Sequence, residues 1–311
     1  MRIISASEVE TGLDYPSLVE RLRDAFRRGS TAPLRQSYPL PGAGRPDATL
    51  MLMPAWVERQ HIGVKIVTVV PDNPARDLPT VMGAYLLLDG GDGRPVALID
   101  GPSLTRRRTA ATSALAAKYL ARPDCERLLM IGTGALAPYM IQAHAAVRPI
   151  ANVLVWGRNF DKAKLVASRL NRTDFKVQPT EALESAVRGA DIICCATTSK
   201  APLVDGDWLP DGAHLDLVGG FTETMREAND EAIRRARVFV DDREAALAEA
   251  GDIIRPIENG VMTADDIAGD LAELTRGTRD GRRYYDQITL FKSVGTAGAD
   301  LAAARQALER S

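Results

Sequence analysis

The chain has 311 residues, of which 45% are hydrophobic and 26% charged, with a formal net charge of −2. That is an ordinary globular balance with room for two domains, and it supplies no basic field for a nucleic-acid partner. The three cysteines, Cys125, Cys194 and Cys195, are too few for a disulfide framework and fit a reducing cytoplasm. The opening MRIISASEVE carries acids early and no long apolar core, so no signal peptide is expected. No apolar run approaches the roughly 20 residues of a membrane span, and the expected location is cytoplasmic.

In chain order, the pattern predicts a leading helix over 16–28 and strands at 48–53, 62–70, 80–88 and 95–100. The last strand follows GGDGRP (90–95), a hairpin signal. An Ala-rich helix is predicted over 103–121. From Arg127 onward, short apolar runs alternate with helix-spaced segments. The runs are 128–132, 152–157, 175–178, 191–197, 214–220 and 237–242; the helical segments are 135–147, 161–170, 181–188 and 226–236. Strict alternation predicts an α/β fold with a doubly wound parallel sheet, six strands in the order 3-2-1-4-5-6. The final stretch, 286–309, reads as helical and is expected to pack back on the N-terminal portion. The expected division is therefore one domain from 1–120 with 286–311, and a Rossmann domain over 121–285.

The chemistry-bearing motif is Gly132-Thr133-Gly134-Ala135-Leu136-Ala137, a G-x-G-x-x-A loop between a predicted strand and a predicted helix. Gly132 permits the tight turn, Gly134 lets the backbone approach a pyrophosphate, and Ala137 allows close packing of helix on strand. The free N–H groups and positive dipole of the helix start then hold the phosphates. At the end of the next strand stands Trp156-Gly157-Arg158-Asn159, without the acid that usually holds an NAD ribose. An arginine suits a 2′-phosphate, so NADPH is the expected cofactor, with NADH the alternative.

Three cations of the N-terminal half stand out. Lys65 lies inside the apolar run 62–67, a costly place for an unpaired ammonium. Arg108 enters a nearly uncharged helix, and Arg35 stands in a Pro-flanked loop. Together they could hold a small carboxylate, the alternative for Arg35 being a solvated side chain. His61, His144 and His214 lack metal-ligand spacing; His144 and His214 read as structural, and no metal is expected.

LMPAW (52–56), GVKIVTVVPDN (63–73), RTAATSALAAKYLAR (108–122), IGTGALA (131–137), VDDREAALAEAGDI (240–253) and TLFKSVGTA (289–297) together resemble the ornithine cyclodeaminase/mu-crystallin family, over essentially the whole chain. The resemblance implies a Rossmann domain plus an α+β substrate-binding and dimerisation domain built from both chain ends, in a homodimer. By resemblance Arg108, Lys65 and Arg35 bind the substrate carboxylate, Lys65 being also the expected catalytic residue. Lys292 and Ser293 are placed near the cofactor or active site. The expected cofactor set is Thr109, Gly132, Thr133, Gly134, Ala135, Leu136, Arg158, Asn159, Thr197, Val218, Gly219, Lys292 and Ser293.

Two departures from the cyclodeaminase pattern stand out. Met51 replaces the glutamate that would hold a second amino group, and Phe221 stands where GGDCPGKTEL-like loops carry an aspartate. The apolar pair suits a ring without a second amino group. The chain thus looks like the Δ1-pyrroline-2-carboxylate reductase branch, whose members reduce a cyclic imino acid to L-proline, with Δ1-piperideine-2-carboxylate and L-pipecolate as a second pair. A lyase of ornithine or hydroxyproline, an alanine dehydrogenase-like enzyme and a non-catalytic NADPH-binding protein are the alternatives.

Overall fold

The computed structural model of the chain describes residues 1–42, 46–170, 174–220 and 222–311. The elements run β1 (Arg2–Ile4), α1 (Ala6–Gly12), α2 (Tyr15–Arg28), β2 (Gln36–Leu40), β3 (Ala48–Val57), β4 (His61–Val69), β5 (Val81–Asp89), β6 (Pro95–Asp100) and α3 (Gly101–Leu120). Then come β7 (Arg127–Ile131), α4 (Ala137–Ala145), β8 (Asn152–Trp156), α5 (Phe160–Leu170), β9 (Lys176–Thr180), α6 (Leu183–Arg188), β10 (Ile192–Cys195), β11 (His214–Leu217), α7 (Asp230–Arg235) and β12 (Arg237–Val240). The chain closes with α8 (Arg243–Glu249), α9 (Gly251–Glu258), β13 (Gly269–Asp270), α10 (Leu271–Arg276), β14 (Thr289–Lys292) and α11 (Ala297–Arg310).

Two compact units result: Met1–Thr109 with Thr296–Ser311, and Ala110–Gly295. The first division falls inside α3, not after it at 120, and the return falls at 295, not 285. A single continuous helix offers no sequence punctuation at such a boundary.

The first unit is a six-stranded sheet in the order β1-β6-β5-β4-β3-β2, antiparallel except for β1 on β6. Its strands alternate. Met53, Ala55, Lys65, Val67, Tyr85, Leu87, Ala97 and Ile99 lie on one buried face. The helix α11 packs on β3, β4 and α2, so the chain end does pack back on the N-terminal portion. The helix starts are set locally. Ser5 and Glu8 form a capping box on α1, Asp14 caps α2, and Thr296 caps α11. The GGDGRP turn forms with Gly93 at φ 76.

The second unit is a parallel sheet of eight strands among the described residues, in the order β13-β12-β14-β11-β10-β7-β8-β9. The run β9-β8-β7-β10-β11 reproduces five of the six expected strands, 3-2-1-4-5. The sixth, β12, is displaced by a strand the sequence reading did not expect. Residues 289–292, read as helical, form β14, which enters between β11 and β12 and pairs with both. Thr289, Leu290, Phe291 and Lys292 are all buried, and a four-residue run buried on both faces has no period by which to tell strand from helix. The helix starts only at Ala297.

Candidate active site

Every strand of the second sheet runs the same way, so the carboxyl ends of β7, β8, β10, β11 and β14 share one edge. Gly132 leaves β7 at φ 121, and a Cβ there would come within 2.5 Å of the Ala196 carbonyl oxygen. Its amide donates to the Trp156 carbonyl at 2.9 Å, tying the loop to β8. Gly134 is exposed, and a Cβ placed on it meets nothing within 4 Å. Leu136 offers no side-chain cap to α4; Ala137 donates its amide to the Gly134 carbonyl at 3.1 Å and Pro138 has no amide hydrogen, so a phosphate would meet the glycine-rich loop backbone ahead of the helix and not these first two positions. Thr133 and Leu136 are half-buried and Ala135 exposed around this opening. The open cradle fits a diphosphate.

Apart from Thr109, which belongs to the first unit, the other residues of the expected cofactor set stand at or just after the carboxyl ends of strands in this sheet. Arg158 and Asn159 are exposed just beyond β8, and the Asn159 side chain accepts from the Lys162 amide at 3.0 Å at the start of α5. Beyond β10, Thr197 donates from its amide and its hydroxyl to Glu227 Oε1 at 2.7 and 2.8 Å. Gly219 donates to Glu227 Oε2 at 2.7 Å, and Val218 to the Cys195 carbonyl at 2.9 Å. Lys292 is fully buried, 3.3 Å from Asp252, and Ser293 donates to Asp241 at 2.8 Å. These two side chains therefore brace the edge from below. Asp252 in turn accepts from the Glu227 amide at 2.8 Å. Burial pushes the Glu227 carboxyl up, Lys292 pulls it down and Asp252 adds to the rise. Sequence reasoning did not single out Glu227, Asp241 or Asp252; Asp241 after RVFV and Asp252 before Ile253 border apolar runs, whereas Glu227 stands among polar residues.

The first unit gathers the cations. Lys65 on β4 is 3% exposed and lies 2.8 Å from Asp300 Oδ2. Arg108 on α3 is 4% exposed and donates from Nε to Asp300 Oδ1 at 2.7 Å. Arg35, half-buried ahead of β2, is close enough to act electrostatically on Lys65. Burial first, then the Arg108 and Arg35 charges, pull the Lys65 ammonium from 10.5 down to about 8, against the opposing pull of Asp300. Met53 and Tyr85 stand opposite Lys65 in the β3 and β5 register. Tyr85 points its hydroxyl over Gly63, where a Cβ would come within 1.9 Å of it. Met51, opposite Val67, is half-buried on the same face as Lys65. Thr109, the residue after Arg108, is buried. Asp300 was not expected, although an acid inside the Ala-rich run 299–307 carries the same anomaly that marks Lys65.

All 311 residues match the model of the ornithine cyclodeaminase/mu-crystallin family. The chain belongs to that family. It is 40% identical to the Δ1-pyrroline-2-carboxylate reductase of Colwellia psychrerythraea, across 100% of this chain and 99% of that one. The solved Thermococcus litoralis Δ1-pyrroline-2-carboxylate reductase, in complex with NADH and L-proline, superposes with a TM-score of 0.94 at 34% identity, covering 100% of this chain and 97% of that one. An archaeal alanine dehydrogenase dimer with bound NAD superposes at 0.91 and 29% identity, covering 100% and 95%.

Within this family member, Met51 puts a thioether and not an anion beside the cation cluster. Phe221, the second departure from the cyclodeaminase pattern, lies outside the described residues. Two of the three histidines, His144 and His214, are accounted for by neighbours. His144 Nε2 sits 3.0 Å from Asp216 Oδ2, and His214 Nδ1 3.0 Å from the Thr289 hydroxyl. Burial drives His214 down to about 3, so its ring is neutral. The ligand-type atoms of His144, Cys194 and Asp216 all lie within 4.8 Å of one another. Asp216 also accepts from Ser113 and from the Cys194 thiol. Burial pushes that thiol well up, which keeps it protonated as the donor to Asp216.

Proposed function

We propose that this chain is a nicotinamide-dependent oxidoreductase acting on a CH–NH bond, reducing the cyclic imine Δ1-pyrroline-2-carboxylate to L-proline with NADPH as the preferred donor. Δ1-Piperideine-2-carboxylate is its second substrate. The observation that carries the reading is the buried cluster of Lys65 and Arg108 with Arg35 beside it, on a sheet face where Met51 supplies no carboxylate for a second amino group. Buried cations are costly, and their gathering around the single carboxylate of Asp300 marks the place that a substrate carboxylate would join.

The substrate carboxylate is held by Arg35, Lys65 and Arg108, and the ring lies against Met51. A bound dinucleotide supplies hydride chemistry. Reduction of C=N to CH–NH adds one hydride to carbon and one proton to nitrogen, and Lys65 delivers the proton. At neutral pH a lysine at about 8 is mostly charged yet gives up its proton more readily than an ordinary ammonium. The loop backbone from Gly132 through Leu136 holds the diphosphate, and Arg158 pairs with the 2′-phosphate. A homodimer completes the proposal.

The test follows NADPH and NADH absorbance with four substrates in parallel: Δ1-pyrroline-2-carboxylate, Δ1-piperideine-2-carboxylate, pyruvate with ammonia, and ornithine. Oxidation with both cyclic imines is expected. Ammonia release from ornithine without net oxidation would establish a lyase, and nucleotide binding without any turnover a carrier.

A further inference from the structure

Asp300 stands in the first turn of α11, fully buried in an Ala-rich helix. It uses its two carboxylate oxygens separately. Oδ1 accepts from Arg108 Nε at 2.7 Å, while Oδ2 pairs with Lys65 Nζ at 2.8 Å. One carboxylate thus links a strand to a helix through their cationic side chains. A lysine has four rotatable bonds and, unpaired, would not hold its ammonium at one point.

The charges facing Lys65 come from each packed element: Asp300 from α11, Arg108 from α3 and Arg35 from the segment ahead of β2. Tyr85 on β5 is opposite Lys65 in register, fully buried, with no hydrogen-bond partner for its hydroxyl among the described residues.

We propose that Asp300 is a positioning residue for the reduction: it fixes the Lys65 ammonium as proton donor and ties it to the Arg108 guanidinium that shares the substrate carboxylate. This rests on the reductase reading above. The bond changes balance, because the Lys65 N–H breaks, the new N–H forms on the imine nitrogen, and the hydride comes from the reduced nicotinamide. Asp300 stays ionised throughout, since the two cations hold its carboxyl down against the effect of burial.

The experiment compares wild type with Asp300→Asn and Asp300→Glu, recording kcat/KM for Δ1-pyrroline-2-carboxylate against pH, with nucleotide affinity measured separately by fluorescence. Loss of the Asp300 charge disfavours charged Lys65. The alkaline limb of Asp300→Asn is therefore expected to move to lower pH by roughly 1–3 units, with a fall of about 100-fold at pH ~8. Nucleotide affinity is expected to hold, because Asp300 and the phosphate loop lie in different compact units. Asp300→Glu keeps the charge on a longer arm, so its limb is expected to stay in place while kcat falls at least about tenfold by misplacement. An Asp300→Asn limb coincident with the wild type overturns the inference, even if the overall rate is lower. Should Asp300→Asn fail to fold, Asp300→Glu decides, and an unchanged kcat in it overturns the positioning role. A wild type that oxidises neither nucleotide with any cyclic imine overturns the reductase reading itself, which no variant result does.

Discussion

Arg158 is exposed two positions beyond the end of β8, at the point where a dinucleotide-binding chain contacts the adenosine ribose. The nearest acid that follows, Asp161, is held by Lys164 at 2.8 Å. A guanidinium there gains charge-assisted hydrogen bonds from a 2′-phosphate and loses little with a bare hydroxyl. Arg158→Ala is expected to raise KM for NADPH by about tenfold to a hundredfold, the equivalent of ~1.5–3 kcal/mol, and KM for NADH far less. Steady-state kinetics with both nucleotides decides it, and an unchanged ratio removes the NADPH preference. Lys65 was legible as a buried charge because it breaks the pattern of an apolar strand, and Arg158 stood out in the sequence only through a missing acid. Asp300 breaks its pattern too, yet its partners are far away in sequence. Helix periodicity tells which face a residue takes but not what waits there.

Legibility of secondary structure depended on length. Strands β3 to β6 have six to ten residues, enough for alternation to show which face is buried. The parallel strands β7, β8 and β10 to β12 are shorter but alternate with helices, and that rhythm placed them. The strands β1 and β13 have three and two residues and exist only through their partners. β14 was missed for a related reason: its last residue, Lys292, is a charge buried completely between two neighbouring strands. That lysine is the cation of a network that also holds Asp252 and Glu227 under the Thr197 and Gly219 backbone. Lys292→Ala would leave two buried carboxylates without a counter-charge, costing about 3–5 kcal/mol of stability. The sign with pH follows. Glu227 already titrates above its unfolded value, mainly through burial, and loses the downward pull of Lys292 in the variant. A carboxyl raised in the folded state stabilises below its unfolded pKa, and that contribution disappears as pH rises through the folded one. Denaturant midpoints should therefore show a larger deficit at about pH 8 than at about pH 5. A deficit independent of pH would mean that the loss is one of packing alone.

The first unit covers only one face of its sheet with its own helices. The opposite face follows from the same alternation and is apolar: Ile3, Trp56, Ile66 and Met82 are 71%, 36%, 38% and 45% exposed. Leu52, Val64 and Leu86 fill the half-buried positions between them. An apolar sheet face of this breadth in a single chain is a mark of an interface, and a stable one needs roughly 1,200–2,000 Å² of total burial. The six-stranded sheet turns such a face outward through strands of up to ten residues. A second copy of the same sheet offers the matching surface, since a two-fold contact presents each patch to itself. Ile66 lies on β4 in mid-sheet, paired with Leu52 and Ala84. Because it is already partly in water, a lysine there should leave the protomer folded while putting a charge from each copy into the apolar contact. Light scattering after size exclusion is expected to give twice the chain mass for the wild type and the single-chain mass for Ile66→Lys, with circular dichroism unchanged. A wild-type chain that elutes as a monomer at micromolar concentration would leave that face without its second copy.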